Sequence, residues 1–324
     1  MKICVFGAGA VGGLIAARLA QAGHAVSALA RGAHLAAMRQ RGIVVRSASE
    51  ESVARVHASD DPRQFGPQDY VIVAVKAHSL REVAGRIAPL LGPETSIVTA
   101  MNGVPWWFFD RLPAGAGVRL ESLDPDGSLA RAMPTERIVG CVVHLAAATE
   151  APGVIRHNRG TRLILGEPGG NNGARTARIR EALAGAGFEA LASDFIEKDF
   201  WVKLLGNVSF NPVSALTLAS ADRLIADPQV KAYLVAIMRE VLAIGRAAGV
   251  DADIDPEARM DMARELGPFK TSMLQDLEAG KPLEIEGLLA GTLEIARRTG
   301  VAAPFTESLF GLVRLRAQST GQYA

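Results

Sequence analysis

This sequence has few cysteines and few aromatic residues, and its positive and negative charges nearly balance. The two cysteines, Cys4 and Cys141, stand alone, which excludes a disulfide framework and gives none of the spacings typical of a zinc site. The formal net charge is +1 and no long basic run occurs, so we expect no nucleic-acid partner. No apolar run reaches the ~18–20 residues of a membrane-spanning helix, so we expect no membrane partner.

Apolar residues, by contrast, make up 49% of the 324 residues. This is enough for a full core in each of about two domains. A secretory signal peptide is not expected, because the first predicted strand begins at residue 2. Together these features indicate a cytoplasmic protein.

The first twelve residues, MKICVFGAGAVG, contain the most informative motif of the first half. The run Ile3–Phe6 predicts a buried strand, and Val11–Ala22 predicts a helix that begins within the glycines. In this context the pattern Gly-x-Gly-x-x-Gly indicates a dinucleotide site at a helix N-terminus. Gly7 allows a tight turn, Gly9 lets the backbone approach the pyrophosphate, and Gly12 lets helix and strand pack closely. The predicted cofactor loop comprises Gly7, Ala8, Gly9, Ala10, Val11 and Gly12.

The end of the second predicted strand, His24–Arg31, indicates which dinucleotide binds. An NAD site usually places a carboxylate about 20 residues beyond the glycines, on the ribose 2′-hydroxyl. Here the sequence has Arg31 and no carboxylate, and a planar guanidinium suits a 2′-phosphate. We therefore predict NADP(H) as the cofactor, with an ordinary solvated arginine as the alternative.

Two polar residues follow further predicted strands. Lys76 comes after the strand Asp69–Val75, and Asn102 comes after the strand Ser96–Ala100. Ligands gather at the carboxyl ends of parallel strands, so both are candidate binding residues, although Lys76 could also be a surface lysine. The alternation of strands and helices predicts an α/β fold with a Rossmann-type doubly wound sheet over residues 1–168.

Four aromatic residues, Trp106 to Phe109, follow Asn102 in a chain that is otherwise poor in them. They could line a substrate pocket or cover a hydrophobic edge, and the sequence leaves both interpretations open.

Beyond residue 168 the pattern becomes helical, which predicts an all-α domain over residues 169–324. One long helix is predicted at Phe195–Leu216, with Lys203, Asn207 and Asn211 on one face at i, i+4 spacing. Polar side chains in a mostly apolar helix need partners, so this face indicates either a ligand cavity or a solvated stripe.

Three other residues of the second half have simple local interpretations. Pro212 is predicted to kink or end the long helix, because it lacks an N–H group. Ser272 and Glu284 suit N-terminal positions of later helices.

Taken together, these motifs resemble the ketopantoate reductase (2-dehydropantoate 2-reductase) family over nearly the whole chain. The resemblance is carried by GAGAVG at 7–12, ALARG at 28–32, VKAHS at 75–79, MNGV at 101–104, WVKLLGNVSFNP at 201–212 and KTSMLQDLEAGKPLEIEGL at 270–288. The last two segments are much more specific than the glycine pattern.

The resemblance implies a Rossmann domain followed by a helical domain, with the active site in the cleft between them. It implies reduction of a 2-oxo acid, foremost ketopantoate, to a 2-hydroxy acid by NADPH without a metal, and hence pantothenate biosynthesis. Lys203 would be the general acid, Glu284 would reach the substrate hydroxyl or the cofactor, and Asn102 would contact both ligands. The remaining implied roles are substrate binding by Asn207, Asn211 and Ser272, and cofactor binding by Arg31, Lys76 and Ala148.

Three positions depart from the family's pattern. Pro105 and the tryptophans replace a glycine-rich continuation after Asn102-Gly103, and Ala221-Asp222 and Ala290-Gly291 replace Asn-Gly pairs. The first two departures leave open a reductase for another, bulkier or aromatic, 2-oxo acid or for a 3-hydroxy acid. A non-catalytic NADP-binding regulatory protein is the alternative from another class, and a homodimer is a possible assembly.

Overall fold

The computed structural model describes residues 1–112, 115, 118–265 and 267–323, and the chain divides into two units. Unit 1 comprises Met1–Met101 and Gly127–Ile196. Unit 2 comprises residues 102–126 together with the chain from Glu197 onward. The predicted boundary at residue 168 does not coincide with this division.

One mixed sheet forms the centre of unit 1. Its strands are β1 (Lys2–Phe6), β2 (Ala25–Leu29), β3 (Ile43–Arg46), β4 (Glu51–Ala54), β5 (His57–Ser59), β6 (Gln68–Val73), β7 (Leu91–Thr99), β8 (Ile138–Ala151), β9 (Val154–Gly166) and β10 (Glu189–Ala192). Their order is β4-β3-β9-β8-β7-β6-β1-β2-β5, with β10 beside β9. The path from β8 to β5 is parallel throughout, so these strands end at one edge of the sheet.

Helices cover this sheet because their apolar faces are buried against it. Those of unit 1 are α1 (Ala10–Gln21), α2 (Gly32–Arg41), α3 (Leu80–Arg86), α4 (Ser128–Ala132) and α5 (Ala174–Gly185). Leu14 and Leu19 of α1 belong to the same buried core as Ile3 and Val5 of β1. The predicted Rossmann-type sheet is confirmed, and the antiparallel pair β8–β9 extends it.

The last helix and strand of unit 1 lie beyond the predicted boundary. β10 pairs in parallel with residues 162–165 of β9, and α5 buries Ile179 and Leu183 in the core of the sheet. Residues 102–126, which the sequence prediction assigns to the first domain, lie in unit 2. The division therefore follows packing and not the order of the chain.

The described secondary structure of unit 2 is helical, as predicted. Its helices are α6 (Ile196–Thr217), α7 (Ala221–Ala226), α8 (Pro228–Ala247), α9 (Pro256–Glu265), α10 (Ser272–Glu278), α11 (Gly291–Thr299) and α12 (Pro304–Ser319), and a π-helical turn (Glu286–Ala290) precedes α11. Among the described residues, no helix combines the length and the apolarity that a membrane span requires.

Pro212 does not end α6, contrary to one of the two predicted outcomes. The helix continues to Thr217, and Leu218 then takes a φ of +57°. Residues on both sides of the proline, including Val208 and Val213, are buried. Tertiary packing therefore maintains the helix although one main-chain hydrogen bond is missing.

Candidate active site

The turn after β1 has the backbone geometry that the glycine pattern predicts. Gly7 has a φ of +98°, and a Cβ at this position would lie 2.5 Å from Cγ1 of Val75. A Cβ at Gly12 would lie 2.1 Å from the main-chain oxygen of Gly7. A side chain at Gly7 would therefore clash with the segment after β6, and one at Gly12 would push α1 away from the glycine turn.

Gly9 leaves an open space at the start of α1. A Cβ at Gly9 would meet no described atom within 4 Å, and this residue is the N-cap of the helix. The first N–H groups of a helix have no partners within it, and the positive end of the helix dipole lies there. The first turn, all of which is described, has no acidic side chain. These residues therefore fit a phosphate group of a dinucleotide.

His34 of α2 connects the glycine turn to the β8–β9 turn. Its Nδ1 accepts a hydrogen bond of 3.0 Å from the N–H of Gly153, and its Nε2 lies 2.8 Å from the main-chain oxygen of Ala8. Because Nδ1 accepts, the hydrogen is assigned to Nε2, which donates to Ala8. Sequence reasoning missed His34, since no local motif marks a contact that joins three distant segments.

The other predicted cofactor residues of unit 1 divide between two places. Arg31 follows β2 as the N-cap of α2, and its Nη1 lies 2.8 Å from Oε2 of Glu82. Lys76 is half-buried just beyond β6. Arg31 and Lys76 thus share the edge of the sheet where the glycine turn lies, whereas Ala148 lies on β8, in the antiparallel pair.

Lys203 and Asn102 meet in unit 2. The Nζ atom of Lys203, on α6, donates a hydrogen bond of 2.7 Å to Oδ1 of Asn102. Both residues are half-buried, so the ammonium group is held in place and is still reachable. A positioned ammonium can stabilise negative charge that develops on an oxygen atom and can supply a proton to it.

Two glycines determine where Asn102 lies. Gly103 has a φ of +87°, and the N–H of Val104 donates to the main-chain oxygen of Gly287 at 2.8 Å. A Cβ at Gly103 would lie 2.5 Å from that oxygen. The segment after β7 is therefore packed directly onto the π-helical turn. Gly287 lies in the segment 270–288 that carries the resemblance, but no role was predicted for it, because its contact with the segment after β7 is a tertiary one.

The remaining predicted residues of unit 2 are only partly brought together. Asn207 is half-buried one helical turn after Lys203. Asn211 is only 7% exposed, and its Nδ2 lies 3.4 Å from Oγ of the exposed Ser272. Glu284 is half-buried and precedes the helical residues that begin at 285.

The aromatic segment belongs to the core of unit 2. Trp106, Trp107, Phe108 and Phe109 are each at most 4% exposed. The ring of Trp107 packs edge-on against Phe200 at 5.5 Å, and Phe108 lies 5.3 Å from Trp201. Of the two interpretations, the structure supports hydrophobic packing. The described residues contain no cluster of three or more His, Cys, Asp or Glu side chains arranged to hold a metal ion.

Comparison with known proteins agrees with this arrangement. The family model described as "Ketopantoate reductase PanE/ApbA" matches residues 3–170, and its C-terminal counterpart matches residues 196–317. A 2-dehydropantoate 2-reductase of Mesorhizobium japonicum is 43% identical, over 100% of both chains. The crystal structure of a candidate ketopantoate reductase from Ralstonia solanacearum MolK2 is 50% identical, covers 99% of each chain and has a TM-score of 0.95.

A more distant solved structure shows the same fold with a ligand pair. It is a D-mandelate dehydrogenase with NADH and anilino(oxo)acetate, which is 19% identical, covers 99% of each chain and has a TM-score of 0.85.

Proposed function

The chain belongs to the ketopantoate reductase family and is a pyridine-nucleotide-dependent oxidoreductase, and we propose that it uses NADPH to reduce 2-dehydropantoate to pantoate. The observation that carries the proposal is the bond of 2.7 Å between Nζ of Lys203 and Oδ1 of Asn102. This pair joins two of the segments that carry the resemblance, 101–104 and 201–212, and it presents an ammonium group that can stabilise and protonate the oxygen of a reduced carbonyl.

The residues of the chain have distinct tasks in this proposal. Bound NADPH supplies the hydride to the carbonyl carbon. The carbonyl oxygen then becomes negative, and the ammonium of Lys203 stabilises it and delivers the proton. The acceptor Oδ1 of Asn102 restricts where the ammonium lies, which maintains the geometry for proton transfer. Glu284 remains a predicted second catalytic residue that acts near the substrate hydroxyl or the cofactor.

Several features of unit 1 support NADPH as the cofactor. The glycine turn and the start of α1 fit the phosphates, and Arg31 follows β2 where a carboxylate would favour NAD. Lys76 adds a second cation at the same edge of the sheet. The predicted homodimer and the predicted cytoplasmic location accompany this proposal and stay predictions.

The structure also bears on the alternative substrates. The hypothesis of a bulkier or aromatic 2-oxo acid depends in part on Trp106 and Trp107 lining the pocket, and both side chains are buried in the core of unit 2. Ala221, at one of the family departures, is fully buried as well. Burial of the two tryptophans removes this argument for a bulkier substrate, so we keep 2-dehydropantoate as the proposed one.

Replacement of Lys203 by alanine tests the proposal. Oxidation of NADPH would be followed by the loss of its absorbance, with 2-dehydropantoate and a panel of branched and aromatic 2-oxo acids. We expect Lys203→Ala to lower kcat by about 10²–10⁴-fold, the range for loss of a general acid. The affinity for NADPH should change less than about twofold, since the ammonium acts on the substrate.

Lys198→Ala is the matched control, because Lys198 is an exposed lysine on the same helix. It should leave kcat unchanged. Unaltered turnover in the Lys203 variant would overturn the assignment of the acid. Tight NADPH binding without turnover of any 2-oxo acid would favour the regulatory protein instead.

A further inference from the structure

The side chain of Arg259, on α9, lies directly over Gly206 of α6. A Cβ at Gly206 would lie 3.4 Å from Nη2 and 4.0 Å from Nε of this arginine. The guanidinium can therefore lie flat against the helix backbone at a position without a side chain. Arg259 is half-buried. Neither the glycine pattern nor the segments of the family resemblance include it.

Among the described residues, Arg259 differs from the neighbouring cations because its guanidinium has no partner. Arg264 of the same helix pairs with Asp261 at 2.8 Å, and Lys231 of α8 pairs with Glu257 at 2.7 Å. No hydrogen-bond acceptor or carboxylate pairs with the guanidinium of Arg259 within the residues that the structure describes.

No counter-charge in the described part of the chain offsets the desolvation of this group. Burial lowers the pKa of Arg259 below its usual value, and no carboxylate of the described residues opposes this effect. A guanidinium nevertheless stays protonated at every physiological pH, so this is a half-buried cation that no anion of residues 1–112, 115, 118–265 or 267–323 pairs with. Such a group costs stability unless a ligand supplies the opposite charge.

The position of Gly206 connects this cation to the catalytic residue. Lys203, Gly206 and Asn207 are partly exposed, whereas the neighbouring Leu204 and Val208 are buried. Residues three apart on a helix are neighbours on its surface, at about 5–6 Å. The guanidinium of Arg259 therefore lies beside the same open strip of α6 that presents Lys203.

We infer that Arg259 binds the carboxylate of the 2-oxo acid while Lys203 contacts the adjacent carbonyl oxygen. This inference rests on the proposed function and adds a residue that selects for a negatively charged substrate. The planar fork of a guanidinium matches a carboxylate with two parallel hydrogen bonds. In a 2-oxo acid the two recognised groups are joined by one carbon–carbon bond, so two cations beside positions three residues apart on α6 suit both.

The test compares one 2-oxo acid with its uncharged methyl ester, in the wild type and in Arg259→Gln, Arg259→Lys and Arg264→Gln. The wild type should prefer the acid. Arg259→Gln should raise KM for the acid by about 10- to 100-fold, as expected for a lost charge-assisted hydrogen bond. It should leave KM for the ester and the affinity for NADPH nearly unchanged, so that the preference disappears. Arg259→Lys should restore part of it, and the exposed control Arg264→Gln should behave as the wild type.

Equilibrium binding of pantoate to the NADP⁺-saturated protein gives a readout apart from turnover. Pantoate should bind the Gln variant about 10- to 100-fold more weakly than the wild type. Equal losses for acid and ester, or an unaltered preference in Arg259→Gln, would overturn this inference and leave the proposed function standing. A wild type that neither binds pantoate nor reduces any 2-oxo acid would overturn both.

Discussion

Arg31 is the residue at which the choice between the two nicotinamide cofactors can be tested. Its side chain is 69% exposed, and its ion pair with Glu82 spans 2.8 Å. An exposed pair of this kind stabilises a protein by at most about 1 kcal/mol. A 2′-phosphate carries more negative charge than one carboxylate, so it can replace Glu82 as the partner.

We therefore expect Arg31→Ala to weaken NADPH binding by about 10- to 100-fold, because a charge-assisted hydrogen bond to the phosphate is lost. NADH binding should change less than about threefold, since NADH has no phosphate there. Fluorescence titration with both reduced cofactors measures the two constants.

Glu82→Gln provides the opposite change at the same place. This substitution removes the carboxylate that competes with the 2′-phosphate for Arg31. The affinity for NADPH should therefore be equal or higher. Equal weakening of NADPH and NADH in Arg31→Ala would contradict the role of Arg31 at the 2′-phosphate.

At the level of single residues, the sequence predicts best where a backbone constraint acts locally. The conformations of Gly7 and Gly12 agree with the motif because a tight turn and a close approach leave room only for glycine. His34 and Arg259 were missed because their contacts reach the glycine turn and α6 from other segments. A histidine or arginine in an ordinary amphipathic helix carries no local signal of such a contact.

The junction between the segment after β7 and the π-helical turn is the element that positions Asn102. Gly103→Ala should strain the backbone, which has a φ of +87°, and push the new Cβ against the main chain of Gly287. We expect kcat to fall by at least about tenfold, because Asn102 would no longer hold the ammonium of Lys203 in place. Steady-state kinetics and the thermal unfolding midpoint should be measured together.

Gly280→Ala separates backbone strain from displacement of Asn102. Gly280 is another glycine of unit 2 with a positive φ of +65°, and a Cβ there would meet no described atom within 4 Å. The Gly280→Ala variant should have a similar backbone strain energy, about 1 kcal/mol, but its kcat should not fall. If both variants lost activity equally, the fall would reflect general destabilisation and not the position of Asn102.

At the level of elements, hydrophobic periodicity predicted the helices well and their interruptions poorly. The continuous stretch predicted at Phe195–Leu216 is α6, since buried residues on both sides of Pro212 maintain it. The π-helical turn at Glu286–Ala290 has no signature in the sequence. It contains Gly287, which contacts the segment after β7, so its cause lies in tertiary packing.

For the whole molecule, the fold class was predictable but the division of the chain was not. The aromatic residues at 106–109 show no helical or alternating period, and the Gly- and Pro-containing residues from 110 onward are typical of a loop. The aromatic side chains are buried against α6, a helix nearly 100 residues later. An apolar segment without a period does not indicate which distant element covers it.

The chain consequently passes between the two units three times, at residues 101/102, 126/127 and 196/197. The segment 102–126 is held at both ends by unit 1, since β7 and β8 on either side of it are paired neighbours in the sheet. If the sheet unfolded, both ends of the segment 102–126 would be released. Keeping unit 2 folded would then require closing a longer loop, which costs more conformational entropy. We therefore expect the two units to unfold together.

The tryptophans allow this expectation to be measured. All three, Trp106, Trp107 and Trp201, lie buried in unit 2, so their fluorescence reports on that unit, whereas far-ultraviolet circular dichroism reports on both. Denaturation curves from the two signals should coincide. NADP⁺ at 100 times its Kd should stabilise the protein by about 2.7 kcal/mol in both signals, although the proposed phosphate site lies in unit 1. A tryptophan transition that NADP⁺ leaves unmoved would show that unit 2 unfolds independently, and the three chain crossings would then contribute no cooperativity.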